Sequence, residues 1–459
     1  MTNTEPTGLQ LAEAALQARA GETEIELRLD ATLRACELLG DIHRAAPVIM
    51  IAGTNGKTST ARMVDALLSA HDLRVGRFSS PHLHSVTERI SVDSAPVSED
   101  DFVRVFAEIR PFLDMVDAEL AGDGRPPLTY FEALTVLAFA VFADAPVDVY
   151  VLEVGMGGQW DSTNVADAEV CGFTHISLDH QAFLGDTLTD IAATKAGILD
   201  RTQDDTPAPT PVAVIGNQDD EAAEELESQL AGRGLTGRWF GREFEVLEAK
   251  QAVDGQLFSL RGAYDVYSDL FLPLLGRHQI DNAALAVAIV EQFLGTEDKP
   301  LNTDTIGTGL STVTSPGRME VMRSDPTIVV DGAHNPDAAI ALREALADSF
   351  DFSDVVAVVA VYEDKDVHGV LEHLYRTAGR VVVSQAQSPR ALSSQKLAEA
   401  AEEWWDPDDV IRTDNLNDAL MRAVDLALED PERRTGIVVT GSLSTVAEAR
   451  TLLGRKDAQ

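Results

Sequence analysis

Short, uninterrupted apolar runs bounded by glycine and acidic residues read as strands buried on both faces of a parallel sheet: Val48 onwards, Arg74–Phe78, Asp148–Val154 and Val170–Ser177. Between them the apolar positions take the helical period. Residues 9–40 read as helical, with Leu9, Leu16, Ile25, Leu29, Leu33, Leu38 and Leu39 as core positions. A helix follows Gly56 with Met63, Val64, Leu67 and Leu68 on one face, then come Asp101–Leu120, the segment PLTYFEALTVLAFAVF, and a helix starting near Thr187. Beyond a Pro-rich connection at 202–211 the pattern predicts a strand, a polar helix near Glu221–Leu230, a hairpin within Trp239–Pro273, and a strong helix from His278. Residues 311–318, STVTSPGR, are expected to be a hinge, because Pro-Gly follows a short helix and precedes a new alternation. The remainder, from TIVVDGAHNPDAAIALREAL to GIVVTGSLSTVAEAR, repeats strand then helix and predicts a second, smaller parallel sheet.

Length agrees with two units, since 459 residues exceed what one hydrophobic core usually organises. Charge narrows the partners: 36 Lys plus Arg against 76 Asp plus Glu leave a formal net charge of −40, which argues against nucleic acid and anionic membrane. The acidic residues are spread through every segment, a surface suited to high salt, where self-repulsion is screened. Two cysteines, Cys36 and Cys171, form no disulfide framework and lack metal-ligand spacing, so both are expected to be buried thiols in a reducing cytoplasm. The N-terminus carries no basic region followed by an apolar core. The most apolar stretch, Ala133–Val154, is interrupted by Asp144, Pro146 and Asp148 and reads as a core helix and strand instead of a membrane span.

Chemistry concentrates where strands end. GTNGK, after the Val48 strand and before a helix, is a phosphate loop: glycines let the main chain approach an anion, helix N-terminal amides point at it, Lys57 adds a point charge, and a hydroxyl from Thr58 or Ser59 can reach a phosphate-bound Mg²⁺. The general motif has glycine where this chain has Ile51, so the match is to a variant. Glu153, at the carboxyl end of a strand beside that loop, is where a Mg²⁺ ligand is expected. Ser80, His82, Glu88 and Arg89 sit in a polar loop. His180 follows another strand, and Lys195 lies on the helix beyond it. Asp331, His334, Lys365 and Asp366 fall at strand ends of the second sheet, with Asn335 capping a helix that Pro336 begins.

In order, GTNGK, SSPHL with ERI, TYFEALT, EVGMGGQWDSTN, LDH with KAGI, GRHQIDNAA, SPGR, DGAHNP, EDKD, PRA and TGSL resemble the dihydrofolate synthase/folylpolyglutamate synthase family of the Mur ligase superfamily, from about Val48 to Ala449. The resemblance implies an N-terminal P-loop ATPase domain with a mostly parallel sheet over 1–314 and a smaller C-terminal Rossmann-like α/β domain over 315–459, closing on ATP about residues 311–318. It implies a monomeric, cytoplasmic, Mg²⁺-ATP-dependent ligase that activates a pterin-linked carboxylate as an acyl phosphate and transfers it to L-glutamate. By motif, Thr54, Asn55, Gly56 and Lys57 hold the ATP phosphates, and Asn282 meets the adenine. Arg318 and Asp331 complete the nucleotide site. Ser80, Glu153 and His180 ligate Mg²⁺, with two ions expected. Lys195 is carbamylated, His334 lies near the phosphates or the glutamate, and Thr129, Phe131, Trp160, Asp161 and Ser162 line the pteroate site. Three departures stand out: Thr58 where the family commonly has glycine, Gln159-Trp160 where Arg and Leu are usual, and Tyr362-Glu363 at smaller or more apolar positions. Another Mur-type ligase, joining a different acid and amino acid, is the nearest alternative.

Overall fold

The computed structural model describes residues 7–19, 26–200, 209–430 and 432–454. Ile25 and most of the Pro-rich connection lie outside the described residues. The chain divides into two compact units: Met1–Glu248, Phe258–Phe271 and Asp281–Val313 form the first, and Ala249–Leu257, Leu272–Ile280 and Thr314–Gln459 the second.

An eight-stranded sheet organises the first unit, in the order Ala95–Pro96, Ile90–Val92, Val75–Phe78, Val149–Glu153, Val48–Ala52, Val170–Phe173, Val212–Ile215, Gly237–Trp239. Pairing is parallel from Val75–Phe78 onward, and antiparallel for the two edge strands that precede it. The central strands are buried on both faces, as continuous apolar runs require. Because Val48–Ala52 lies between Val149–Glu153 and Val170–Phe173, the chain leaves it for Val75–Phe78 on one side and returns to the other, making its carboxyl end a topological switch point. The helix Tyr130–Asp144 is buried almost all round and continues into the Val149–Glu153 strand. Among the described residues, no helix is long and apolar enough to cross a membrane. Both cysteines are free and buried.

Three expectations need correction. Among the described residues of 9–40 there are two helices, Gly8–Gln17 and Asp30–Leu38: residues 26–29, just before the second, lie outside helix, where Arg28 is held in the core by Glu132. The strand expected over Val170–Ser177 ends at Phe173, since residues 174–177 turn to serve the phosphate loop. The hairpin of 239–273 is a three-stranded sheet of Glu245–Ala252, Gly255–Arg261 and Val266–Leu272 with the middle segment central.

In the second unit a six-stranded sheet runs Glu320–Ser324, Thr327–Val330, Thr435–Thr440, Asp354–Val359, Arg380–Val383, Val410–Arg412, parallel except for its first pair. Its apolar core includes Val329, Val359, Val383 and Trp405, whose indole Nε1 donates to Ala378 O at 2.8 Å. Trp404 packs against that core and Tyr375.

Candidate active site

The phosphate loop is built by close backbone approach. At Gly53, φ +145°, a Cβ would collide with Thr174 Oγ1; at Gly56, φ +90°, it would collide with the Asn282 amide, which brings Asn282 to the loop. Thr54 and Asn55 N–H both donate to His175 O at 2.9 and 3.2 Å, Thr54 Oγ1 donates to Ser177 O at 3.0 Å, and Asn55 Nδ2 donates to Ser177 Oγ at 3.1 Å. The neighbouring strand end thereby holds the loop in shape. Helix Lys57–Ala70 starts directly after it.

Two lysines meet at this loop. Lys57 Nζ donates to Gly53 O and Thr54 O at 3.0 and 3.1 Å, while Lys195 Nζ, from the helix Leu188–Ala196, donates to Gly53 O at 2.7 Å. Lys195 is 4% exposed, and burial, reinforced by the charge of Lys57, holds its amine well below the usual lysine range against the opposing pull of Asp179 and Asp161.

Beside them Glu153 is 1% exposed. Its Oε1 accepts from Thr58 Oγ1 at 2.7 Å and its Oε2 from Ser80 N–H at 3.3 Å. Burial raises its carboxyl above the ordinary range, with Lys57, the Thr58 bond and the Ser80 N–H pulling the other way. Among the described residues no group of three or more His, Cys, Asp or Glu is placed to hold a metal ion by itself. The donors shown are one desolvated carboxylate with the Thr58 hydroxyl on it and Ser80 reaching it through its backbone N–H, hard oxygens that fit Mg²⁺, which dehydrates reluctantly and is held by one or two carboxylates together with substrate phosphates. His180 opens the short helix Gln181–Leu184 at φ +53°, with its side chain 38% exposed and Nε2 4.0 Å from Asp179 Oδ2.

The five residues assigned to pteroate separate by role. Thr129 caps the helix Tyr130–Asp144 by a reciprocal box with Glu132, and the ring of Phe131 fills the space beside Gly155 and lies 5.7 Å from Phe78. Asp161 is buried with both oxygens engaged: Oδ2 accepts from Gly155 and Met156 N–H, and Oδ1 from Thr163 N–H and Oγ1. Ser162 is buried next to it, whereas Trp160 is 44% exposed. Gln159 N–H donates to Thr194 O, so this loop rests on the helix that carries Lys195.

In the second unit Asp331 accepts from Met319 N–H at 2.8 Å and from Ala333 N–H at 2.9 Å, bracing the turn after Thr327–Val330. The Arg318 guanidinium lies against Gly332, and His334 Nδ1 is 2.8 Å from Gly332 O, so Arg318, Asp331 and His334 share one turn. Asn335 caps Pro336–Ser349 by accepting from Ala338 N–H. Asp366 caps Val367–Tyr375, leaving Lys365 one position before it.

Two buried arginines escaped the sequence reading. Arg28 makes a bidentate pair with Glu132 at 2.8 and 2.9 Å and donates to Pro126 O and Pro127 O, tying the segment before Asp30 to the helix that carries Phe131. Arg77 pairs with Asp65 inside the sheet layer. A lone arginine in the apolar strand VGRF was the available signal.

Comparison with known proteins agrees with this arrangement. Residues 51–290 match the Mur ligase middle domain, and residues 317–443 match the Mur ligase glutamate ligase domain. A Mycobacterium tuberculosis dihydrofolate synthase/folylpolyglutamate synthase is 47% identical over 99% of this chain and 96% of its own length. A crystal structure of the M. tuberculosis folylpolyglutamate synthase complexed with ADP and AMPPCP superposes with a TM-score of 0.91 at 46% identity, covering 98% of this chain and 99% of that one. A structure of Escherichia coli FolC in complex with DHPP and ADP does so with a TM-score of 0.80 at 28% identity, covering 98% and 99%. The reading of the acidic surface as an adaptation to high salt finds no support in these likenesses. With phosphate loop, buried glutamate and buried lysine in place in a chain alike over its whole length, this protein belongs to the dihydrofolate synthase/folylpolyglutamate synthase family of Mur ligases.

Proposed function

We propose that this chain is an ATP-dependent amide ligase that adds L-glutamate to dihydropteroate, to reduced folates, or to both, releasing ADP and phosphate. One observation carries the reading: the buried Glu153 carboxylate is gripped by the phosphate-loop hydroxyl of Thr58, in a chain 47% identical over nearly its full length to a dihydrofolate synthase/folylpolyglutamate synthase.

A carboxylate oxygen of the acid substrate forms a bond to the γ-phosphorus as the bond to the β–γ bridging oxygen breaks, with ADP leaving. The amino nitrogen of glutamate, having lost a proton, then bonds to the acyl carbon, and phosphate departs with the bonding pair. Both steps need charge neutralised on the phosphoryl group more than they need covalent help. Lys57, released from the carbonyls of Gly53 and Thr54, is the mobile cation for the β- and γ-phosphates. Thr54, Asn55 and Gly56 form the loop about the phosphates, its shape held by the Thr54 and Asn55 N–H bonds to His175 O, and Asn282 stands against the loop as the adenine contact. Glu153, Ser80 and His180, with the Thr58 hydroxyl, would hold Mg²⁺, two ions being the family expectation. Bound Mg²⁺ supplies neutralising charge on the phosphates.

Lys195 is kept neutral enough by burial for its nitrogen lone pair to bond to the carbon of CO₂, losing a proton to give a carbamate. That change turns a cation into an anion at the site. For the acid substrate, Phe131 and the exposed Trp160 offer aromatic faces, Thr129 and Ser162 polar ones, and Asp161 shapes the loop through its four hydrogen bonds. Arg318 and Asp331 serve the nucleotide, and His334 the phosphates or the incoming glutamate. The ligase acts as a cytoplasmic monomer, a setting its buried, unpaired cysteines support, with domains over 1–314 and 315–459.

The test is ADP release with Mg²⁺-ATP and L-glutamate, comparing dihydropteroate with tetrahydrofolate and weighing the products by mass spectrometry. One added glutamate on dihydropteroate supports the synthase role, and serial additions to tetrahydrofolate support the polyglutamate role. No turnover with either, from protein that binds ATP, would redirect the assignment to another acid substrate.

A further inference from the structure

Arg77 lies in the middle of Val75–Phe78 with its side chain 2% exposed, and no motif that assigns chemistry uses it. Its three nitrogens reach three elements. Nε donates to Asp65 Oδ2 on the phosphate-loop helix, Nη1 to Ser79 Oγ in the segment entering Ser80, and Nη2 to Ser91 Oγ on the neighbouring strand, each at 2.9 Å. Asp65, also 2% exposed, accepts from Ser94 Oγ at 2.8 Å through its other oxygen. Burying this pair is costly unless its geometry is well satisfied, and here it is.

The guanidinium is a rigid planar fork, so it ties down the spacing of whatever it grips. What it grips matters. The helix of Asp65 begins with Lys57 and Thr58, and the Ser79 segment delivers Ser80; Thr58 Oγ1 and Ser80 N–H are the two donors that hold opposite oxygens of Glu153. We infer that Arg77 is a positioning residue for the metal–nucleotide site, setting the distance between the phosphate-loop helix and the Ser79–Ser80 segment so that both close on Glu153. This rests on reading Glu153, Thr58 and Ser80 as the Mg²⁺ end of the site. A purely structural role would make the three arms equivalent, whereas positioning singles out the arms to Asp65 and Ser79 over the arm to Ser91.

The experiment is calorimetric titration of ADP into the full chain, with Mg²⁺ and with a chelator, for wild type, Arg77→Lys, Ser79→Ala and Ser91→Ala. Lysine keeps the charge opposite Asp65 but cannot span three partners. Arg77→Lys and Ser79→Ala are expected to lose about tenfold of the Mg²⁺-dependent gain in ADP affinity, the scale of one hydrogen bond to a charged group. Their chelator-treated affinity should be unchanged, and Ser91→Ala should bind as wild type. Should Arg77→Lys fail to fold, Ser79→Ala decides alone. Full retention of the gain in Ser79→Ala, or an equal loss in Ser91→Ala, overturns the inference. Wild type whose ADP affinity ignores Mg²⁺ would instead overturn the underlying reading, and the inference with it.

Discussion

Lys57 and Lys195 donate to the same acceptor: the carbonyl oxygen of Gly53 lies 3.0 Å from one amine and 2.7 Å from the other. Two cations at one carbonyl repel, and Lys195 is deeply buried, so its amine is held well below the usual lysine range. Protein kept in ¹³C-bicarbonate should therefore show a carbamate carbon by NMR, absent from Lys195→Ala. That variant should lose roughly 10²–10³ in kcat, the scale of one lost electrostatic stabiliser. A wild-type spectrum without the signal would remove carbamylation from the mechanism.

Thr58 stands where the family commonly has glycine, and its hydroxyl bonds Glu153 at 2.7 Å. Thr58→Val keeps the shape and deletes the donor. A hydrogen bond to a charged group contributes about 1.5–3 kcal/mol, so Mg²⁺-nucleotide affinity should fall about ten- to hundredfold. Unchanged affinity by titration calorimetry would mean that Glu153 needs no orienting.

Gly53→Ala faces both a disallowed φ of +145° and Thr174 Oγ1. Backbone strain of this kind costs about 1–3 kcal/mol before any collision is counted. The variant should melt lower and lose nucleotide binding, because Gly53 O is also the shared acceptor of both lysines. Wild-type melting together with wild-type ADP affinity would refute this.

Arg28 and Glu132 form a buried bidentate pair. Arg28→Met leaves the carboxylate uncompensated and should cost about 3–5 kcal/mol in denaturant unfolding. Adding Glu132→Gln should recover part of that loss. An additive double variant would show that the two side chains do not act as a pair.

His82 Nδ1 accepts from Arg89 Nε at 2.9 Å, which requires an unprotonated ring nitrogen. Burial, then the Arg89 charge, lowers its pKa from 6.5 to about 4. Since the unfolded chain takes up the proton first, stability from this group is complete above about pH 6.5 and declines as the pH falls toward 4. The loss is roughly 1–3 kcal/mol for a half-buried ring. His82→Gln keeps an acceptor without titrating, so its stability should be flatter than wild type across that window; identical slopes would contradict the assignment.

Much of this site could be read in the linear sequence because phosphate chemistry demands particular residues at short spacing. Gly53, Gly56 and Lys57 fall within one loop, and Glu153 marks the end of an apolar run. The buried arginines could not be read in the same way. Nothing near Arg77 in the chain announces Asp65 or Ser91 as partners, and Arg28 finds Glu132 more than a hundred positions away, at a separation of 104.

By itself the sequence determined the alternation of strands and helices, the two-part organisation of the apolar runs and the chemistry at strand ends, because period, turn residues and loop spacing are local properties. Tertiary structure alone decided that the described part of the first 40 residues forms two separate helices, that the segment after Phe173 turns to pin the phosphate loop, and that Lys57 and Lys195 converge on one carbonyl. Those outcomes depend on which distant groups share a desolvated space. Only burial sets the strength of a charge there, and burial is a property of the folded chain.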